Sequence, residues 1–151
     1  MEYRLKEIRE DCDLKQYEVA NKINISRGSY ANIEAETANI KLKYFLNYCN
    51  ELNCTMDYAA KLTTNNKSHL IIKLNKIDKQ IMAERLRIIE NENNKDARDI
   101  AIELGIDPST YSCYKSLKVK WTMQTLMVKR LAEKYGYSMD WIVGRSNKKF
   151  R

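Results

Sequence analysis

At 151 residues with one proline and four glycines, the chain can hold one ordinary domain or two small ones, and it lacks the turn formers of a many-stranded β fold. No apolar run approaches the roughly 20 residues of a membrane span, and the opening MEYRLKEIRE is charged where a secretory signal is apolar. One histidine and four cysteines without a C-x-x-C pair give no metal-ligand spacing. The expectation is a cytoplasmic all-α protein with no cofactor, metal site or catalytic constellation. The net charge of +7 is uneven: residues 1–66 carry 9 Lys+Arg against 10 Asp+Glu, and residues 67–151 carry 18 against 10. A basic C-terminal half suits a polyanionic partner such as nucleic acid.

Taken in chain order, apolar spacing predicts helices near 2–11, 15–23, 26–35, 41–53 and 55–62. Ser26 and Thr55 stand where N-caps belong, and Asp57 suits the positive end of its own helix. The polar TTNNKS at 63–68 reads as a turn. After it Leu70, Leu74, Ile77 and Ile81 are spaced 4, 3 and 4. That predicts a linker helix over 67–82, continuing into the next unit. Its apolar face either packs on its own domain or forms a homodimer seam. A second set of helices is predicted near 77–92, 96–104, 108–116, 122–135 and 138–144. Asp107 and Ser138 act as N-caps there, Pro108 suits a first helical turn, and Asp140 repeats the role of Asp57. The tail RSNKKFR, 145–151, adds four cations. It reads as a free basic tail, or as one that follows phosphates or a minor groove.

Shifting the sequence by 81 lays Arg4, Leu5, Ile8, Ala20, Ile25 and Tyr30 on identical residues at Arg85, Leu86, Ile89, Ala101, Ile106 and Tyr111. Farther on the shift becomes 83, so CTMDY (54–58) meets YSMDW (137–141), and two extra residues fall near 117–125. A self-match this long marks a repeated architectural unit. Within each copy a small residue, Ala20 or Ala101, allows two short helices to cross closely. Asn24 or Gly105 then supplies a residue tolerant of positive φ in the turn between them.

These residues resemble the lambda-repressor/Cro (XRE-type) helix-turn-helix family, through LKQYEVANKINISRGSYANIE and LNCTMDY in copy one and IAIELGIDPSTYS and YGYSMDWIVGRS in copy two. The resemblance implies two tandem five-helix domains, at 1–66 and 83–145, joined by the linker helix at 67–82 and followed by the basic tail at 146–151. It implies that Gln16 bonds a DNA phosphate and that Arg27, Gly28 and Asn32 sit where bases are read, with Ser26 and Ser29 beside them. Gly28 departs from the family's long polar residue. Arginine matches guanine O6/N7 and asparagine matches adenine N6/N7. The loop cations Lys41 and Lys43 fall along the phosphates.

In copy two Ala97 stands in place of the glutamine, and the outward face becomes Ser109, Thr110, Ser112 and Cys113, which are short. Lys115, Lys118 and Lys120 lie in a stretch from Pro108 to Ala132 without an acidic residue. The expectation is therefore a division of labour on double-stranded DNA, copy one reading bases and copy two gripping phosphates. The molecule would be a transcriptional regulator, most simply a repressor of phage or mobile-element type. The competing expectation is a protein-interaction module, an antitoxin or anti-CRISPR-type inhibitor, that uses the same scaffold toward a protein partner.

Overall fold

Ser26, Thr55, Asp78, Asp96, Asp107 and Ser138 each precede an apolar-periodic run, and each accepts a backbone N–H from the turn that follows. An exposed helix start has donors without intrahelical partners, and a short oxygen-bearing side chain satisfies one of them. The computed structural model describes residues 2–151. It places there α1 (Leu5–Asp11), α2 (Gln16–Lys22), α3 (Arg27–Glu34), α4 (Leu42–Glu51) and α5 (Met56–Ala59), then α6 (Lys79–Glu92), α7 (Ala97–Leu104), α8 (Pro108–Lys115), α9 (Thr125–Tyr135) and α10 (Met139–Val143). The fold is all-helical, as composition and spacing predict. We call α1–α5 the first lobe and α6–α10 the second.

The turn chemistry follows the sequence. Asn24 takes φ 59° between α2 and α3, and Gly105 takes φ 73° between α7 and α8. Ala20 and Ala101 are fully buried at the two helix crossings, where a larger side chain would hold the backbones apart. Tyr30 and Tyr111, equivalent in the repeat, are also fully buried. One hydrophobic cluster runs from Leu5 in the first lobe to Val143 in the second.

The lobes meet through their last helices. Asp57 and Asp140 lie in the first turns of their own helices, as expected, and each also serves the other lobe. The Met139 N–H donates to Asp57 Oδ1 at 2.8 Å, and the Ser138 hydroxyl donates to Asp57 Oδ2. Reciprocally, the N–H groups of Met56 and Asp57 donate to the two Asp140 oxygens at 3.0 and 3.3 Å. Each helix start is thus capped locally by Thr55 or Ser138 and again by an aspartate of the opposite lobe. The exchange has the form of a twofold relation inside one chain. Arg145, fully buried, pairs with Asp140 at 2.6 Å and donates to the Cys54 carbonyl at 3.1 Å. Near the other end of the contact, the Thr125 hydroxyl donates to the Ile40 carbonyl at 2.7 Å. Lys129 reaches the Glu2 carbonyl at 2.7 Å.

The linker is not the helix that its apolar spacing suggests. A single 3₁₀ turn covers Ser68–Leu70, residues 71–78 are irregular, and helix resumes only at Lys79. Two effects stop it earlier. Asp78 accepts from the N–H groups of Gln80 and Ile81, which fixes a helix start there. The strand-like backbone before it finds partners elsewhere: the Ile72 N–H donates to the Arg145 carbonyl at 2.6 Å, and Asn50 donates to the Leu74 carbonyl. The side chain of Leu70 lies outside the described residues. Leu74 and Ile77 pack on the core, and Leu74 and Ile81 lie over Gly144. Leu74, Ile77 and Ile81, expected in a linker stripe or dimer seam, are half-buried, and each has contacts within the chain.

The basic tail is docked rather than free. The Ser138 N–H donates to the Lys149 carbonyl at 2.8 Å, and Phe150 stacks on Tyr137 with ring centroids 5.2 Å apart. Arg151 donates to the carbonyls of Ala132 and Tyr137 at 2.7 and 2.9 Å. Its guanidinium is thereby engaged with protein backbone.

Candidate nucleic-acid interface

A helix can be read by a partner only if its outward residues are open and its seat is rigid. In α3 the core side is Tyr30 and Ile33, three apart and both buried. That leaves Arg27, Gly28, Ser29 and Asn32 exposed, with Ser26 exposed at the cap. The Ser26 hydroxyl accepts the Ser29 N–H at 3.1 Å and bonds the Ser29 hydroxyl at 2.9 Å. A concavity in front of the helix is lined by Ser26, Ser29, Asn32, Asn39 and Lys41. Lys41 and Lys43 are exposed at the start of α4. Neither the linker nor the second lobe covers this face.

A buried ion pair ties α1 to α3, and Gln16 of α2 joins it. Arg9 grips Glu34 with two bonds of 2.8 Å, through Nε and Nη2, and its Nη1 donates to the Leu14 carbonyl. Burial alone would raise the Glu34 carboxyl; the hydrogen bonds from Arg9 and Gln16 outweigh it and hold the group below the ordinary range. The Gln16 side-chain amide donates to Glu34 Oε1 at 3.2 Å. Gln16 is therefore set at the first turn of α2 by the same pair that anchors α3, with its carbonyl oxygen outside that bond.

The second lobe repeats this device with its charges reversed. The positions equivalent to Arg9 and Glu34 are Glu90 and Lys115, which pair at 2.6 Å with 13% and 17% of their side chains exposed. Lys115, expected among the phosphate contacts, is turned inward and spent on Glu90. Its position was visible in the sequence, but its partner became clear only from the fold. Ser109, Ser112, Lys118 and Lys120 are exposed, and Thr110 and Cys113 are half-buried. The Ser109 hydroxyl donates to Asp107 at 2.5 Å and, with the Ser109 N–H, holds that carboxyl below its usual range. The outward face of α8 is short and partly self-satisfied. Its cations, Lys118 and Lys120, lie on the loop that follows.

Sequence reasoning passed over the surface between the lobes. The loops before α4 and α9 line a groove of about 810 Å³, with Lys41, Lys43, Lys76 and Lys120 in its walls and Trp121 beside them. Trp121 falls in the stretch where copy two is two residues longer. The alternation of apolar and cationic residues in LKVKW (117–121) is the signal that marks it.

Among the described residues no group of three His, Cys, Asp or Glu is placed to hold a metal ion, and no helix is long and apolar enough to cross a membrane. Comparison with known proteins finds no curated protein and no solved structure that matches the chain. Residues 5–58 match a family model described as Helix-turn-helix. The first lobe, from the start of α1 into α5, is thus similar to that family.

Proposed function

We propose that this protein is a sequence-specific double-stranded DNA-binding transcriptional regulator, a repressor of the phage or mobile-element type. The observation that carries the reading is the open face of α3. Arg27, Ser29 and Asn32 project from a helix fixed by the Asn24 turn and the Arg9–Glu34 pair, on the segment similar to the Helix-turn-helix family. A preset face of this kind loses little freedom on entering a major groove.

In this reading Arg27 donates both arms of its guanidinium to a guanine edge and Asn32 bonds an adenine edge. Gln16, Ser26, Lys41 and Lys43 hold the flanking phosphates. The absence of a side chain at Gly28 lets the backbone approach the duplex and gives up one reader. The second lobe presents α8 to the neighbouring stretch. Ser109, Thr110, Ser112 and Cys113 admit the backbone closely, and Lys118 and Lys120 neutralise phosphates. The joint between α5 and α10 gives one chain both faces, so one chain covers two unlike half-sites.

Binding measured by fluorescence anisotropy on a fragment of its own promoter, against random duplex, tests this. Specific binding in the nanomolar range is expected, weakened by Arg27→Ala. Equal affinity for both duplexes rejects it. Weak binding together with co-purification of a protein would instead favour the interaction-module reading.

A further inference from the structure

We propose that the groove between the lobes is a second DNA contact surface, which takes the duplex segment between the two recognition helices and stacks Trp121 against it. The proposal rests on the DNA-binding reading above and extends it to Lys76 and Trp121, which that reading does not use.

The chemistry of the groove is that of a nucleic-acid site. Four lysines line it, Lys41 and Lys43 from the first lobe, Lys76 from the linker and Lys120 from the second. No aspartate or glutamate is among its lining residues. Asn39 and Gln124 add amides able to donate to phosphate or to a base edge. So one-sided a set of charges, gathered from three parts of the chain, suits a polyanion and disfavours a basic or neutral peptide.

Trp121 supplies the second half of the argument. The residue is 50% exposed. It is also held in place. Tyr114 meets it edge-on with centroids 5.5 Å apart and planes at 88°, and the Lys79 ammonium lies 5.9 Å from the ring centre. Lys79 also donates to the Val119 carbonyl and so ties down the loop that carries the indole. A fixed, half-open aromatic among lysines can pack on the deoxyribose of a duplex while the lysines neutralise its backbone.

Continuity places the groove on the reading side. Asn39 and Lys41 line both this groove and the concavity in front of α3. A duplex lying on α3 therefore extends over the groove toward the loop with Lys118 and Lys120. The two added residues of that loop let it reach the duplex where the first lobe's shorter loop ends.

Tryptophan emission tests this directly, since the chain has two tryptophans and Trp141 is 5% exposed. Saturating the full chain with its selected duplex should quench the emission, and in Trp121→Phe the remaining Trp141 signal should stay constant. Trp121→Ala should weaken binding several-fold, and Trp121→Phe should restore most of it. Duplex binding that leaves the emission and the Trp121→Ala affinity unchanged overturns the proposal and leaves the reading of α3 standing. Tighter quenching by single strands or free nucleotides than by duplex overturns the duplex assignment. A chain that binds no duplex at all overturns this proposal and the DNA-binding reading together.

Discussion

Asp140→Ala is the sharpest probe of the joint between the lobes. The substitution leaves Arg145 fully buried without its 2.6 Å partner. It also takes the acceptors from the N–H groups of Met56 and Asp57 in the opposite lobe. Breaking a buried pair by removing one partner costs about 3–5 kcal/mol. The lost backbone acceptors overlap with that cost and add little beyond it. Against a typical stability of about 5–15 kcal/mol, the variant folds but is visibly weakened. For a chain of this size about 4 kcal/mol corresponds to a fall in Tm on the order of 8–16 °C. Urea denaturation followed by circular dichroism gives the free energy, and the m-value reports whether the lobes still unfold together. Removing both charges, with Asp140→Asn and Arg145→Met, should recover about half of the loss, because no buried cation remains unpaired. A cost below about 1 kcal/mol for Asp140→Ala, or single-mutant effects that simply add, would refute the role given to this pair.

The other predictions concern the binding face and the buried carboxyls. Arg27→Ala should cost about 1–3 kcal/mol on the selected duplex, with little change on random duplex, measured by anisotropy. Lys118→Gln with Lys120→Gln should weaken all duplexes alike and lower the slope of log K against log salt by roughly 2, at about 0.9 per phosphate contact. Lys115→Gln should leave that slope unchanged and lower Tm instead, because its partner is Glu90. Burial, with the Asp140 charge second, raises the Asp57 carboxyl to about 7. The folded chain therefore keeps a proton on Asp57 that the unfolded chain loses near pH 4. The stabilisation is full below pH 4 and is lost as pH rises toward and through 7. Thermal melts should show Tm falling from pH 5 to pH 8, and Asp57→Asn should flatten that fall.

Much of the fold could be read from residue types, because the forces involved act over a few positions. Ser26, Thr55, Asp107 and Ser138 were legible as caps, and Asn24, Gly105, Ala20 and Ala101 as parts of a tight two-helix turn. The repeat register was legible too, and it aligns Glu90 with Arg9 and Lys115 with Glu34. The sequence shows the charges reversed; only the fold shows that they meet. The linker failed because a 4, 3, 4 apolar spacing reports which residues turn toward apolar surface, and an irregular strap over Gly144 half-buries Leu74 and Ile81 without a continuous helix. The backbone N–H groups that bond Asp57 and Asp140 lie more than 80 residues away, and local dipole arguments cannot reach that far. The tail read as free because its cations suggested solvent, while Arg145 and Arg151 are committed to Asp140 and to backbone carbonyls. The exposed face of α3 was legible residue by residue. The groove beside it was not, since it exists only once two loops of different copies are brought together.

Selection of bound duplexes from a random pool by the full chain tests the central claim most directly. The account predicts a recovered motif with two unlike halves centred about one helical turn apart, roughly 34 Å, in which the half contacted by Arg27 is the better specified and loses its preference in Arg27→Ala. A pool that stays random through repeated rounds, or a motif that Arg27→Ala leaves unchanged, would contradict it.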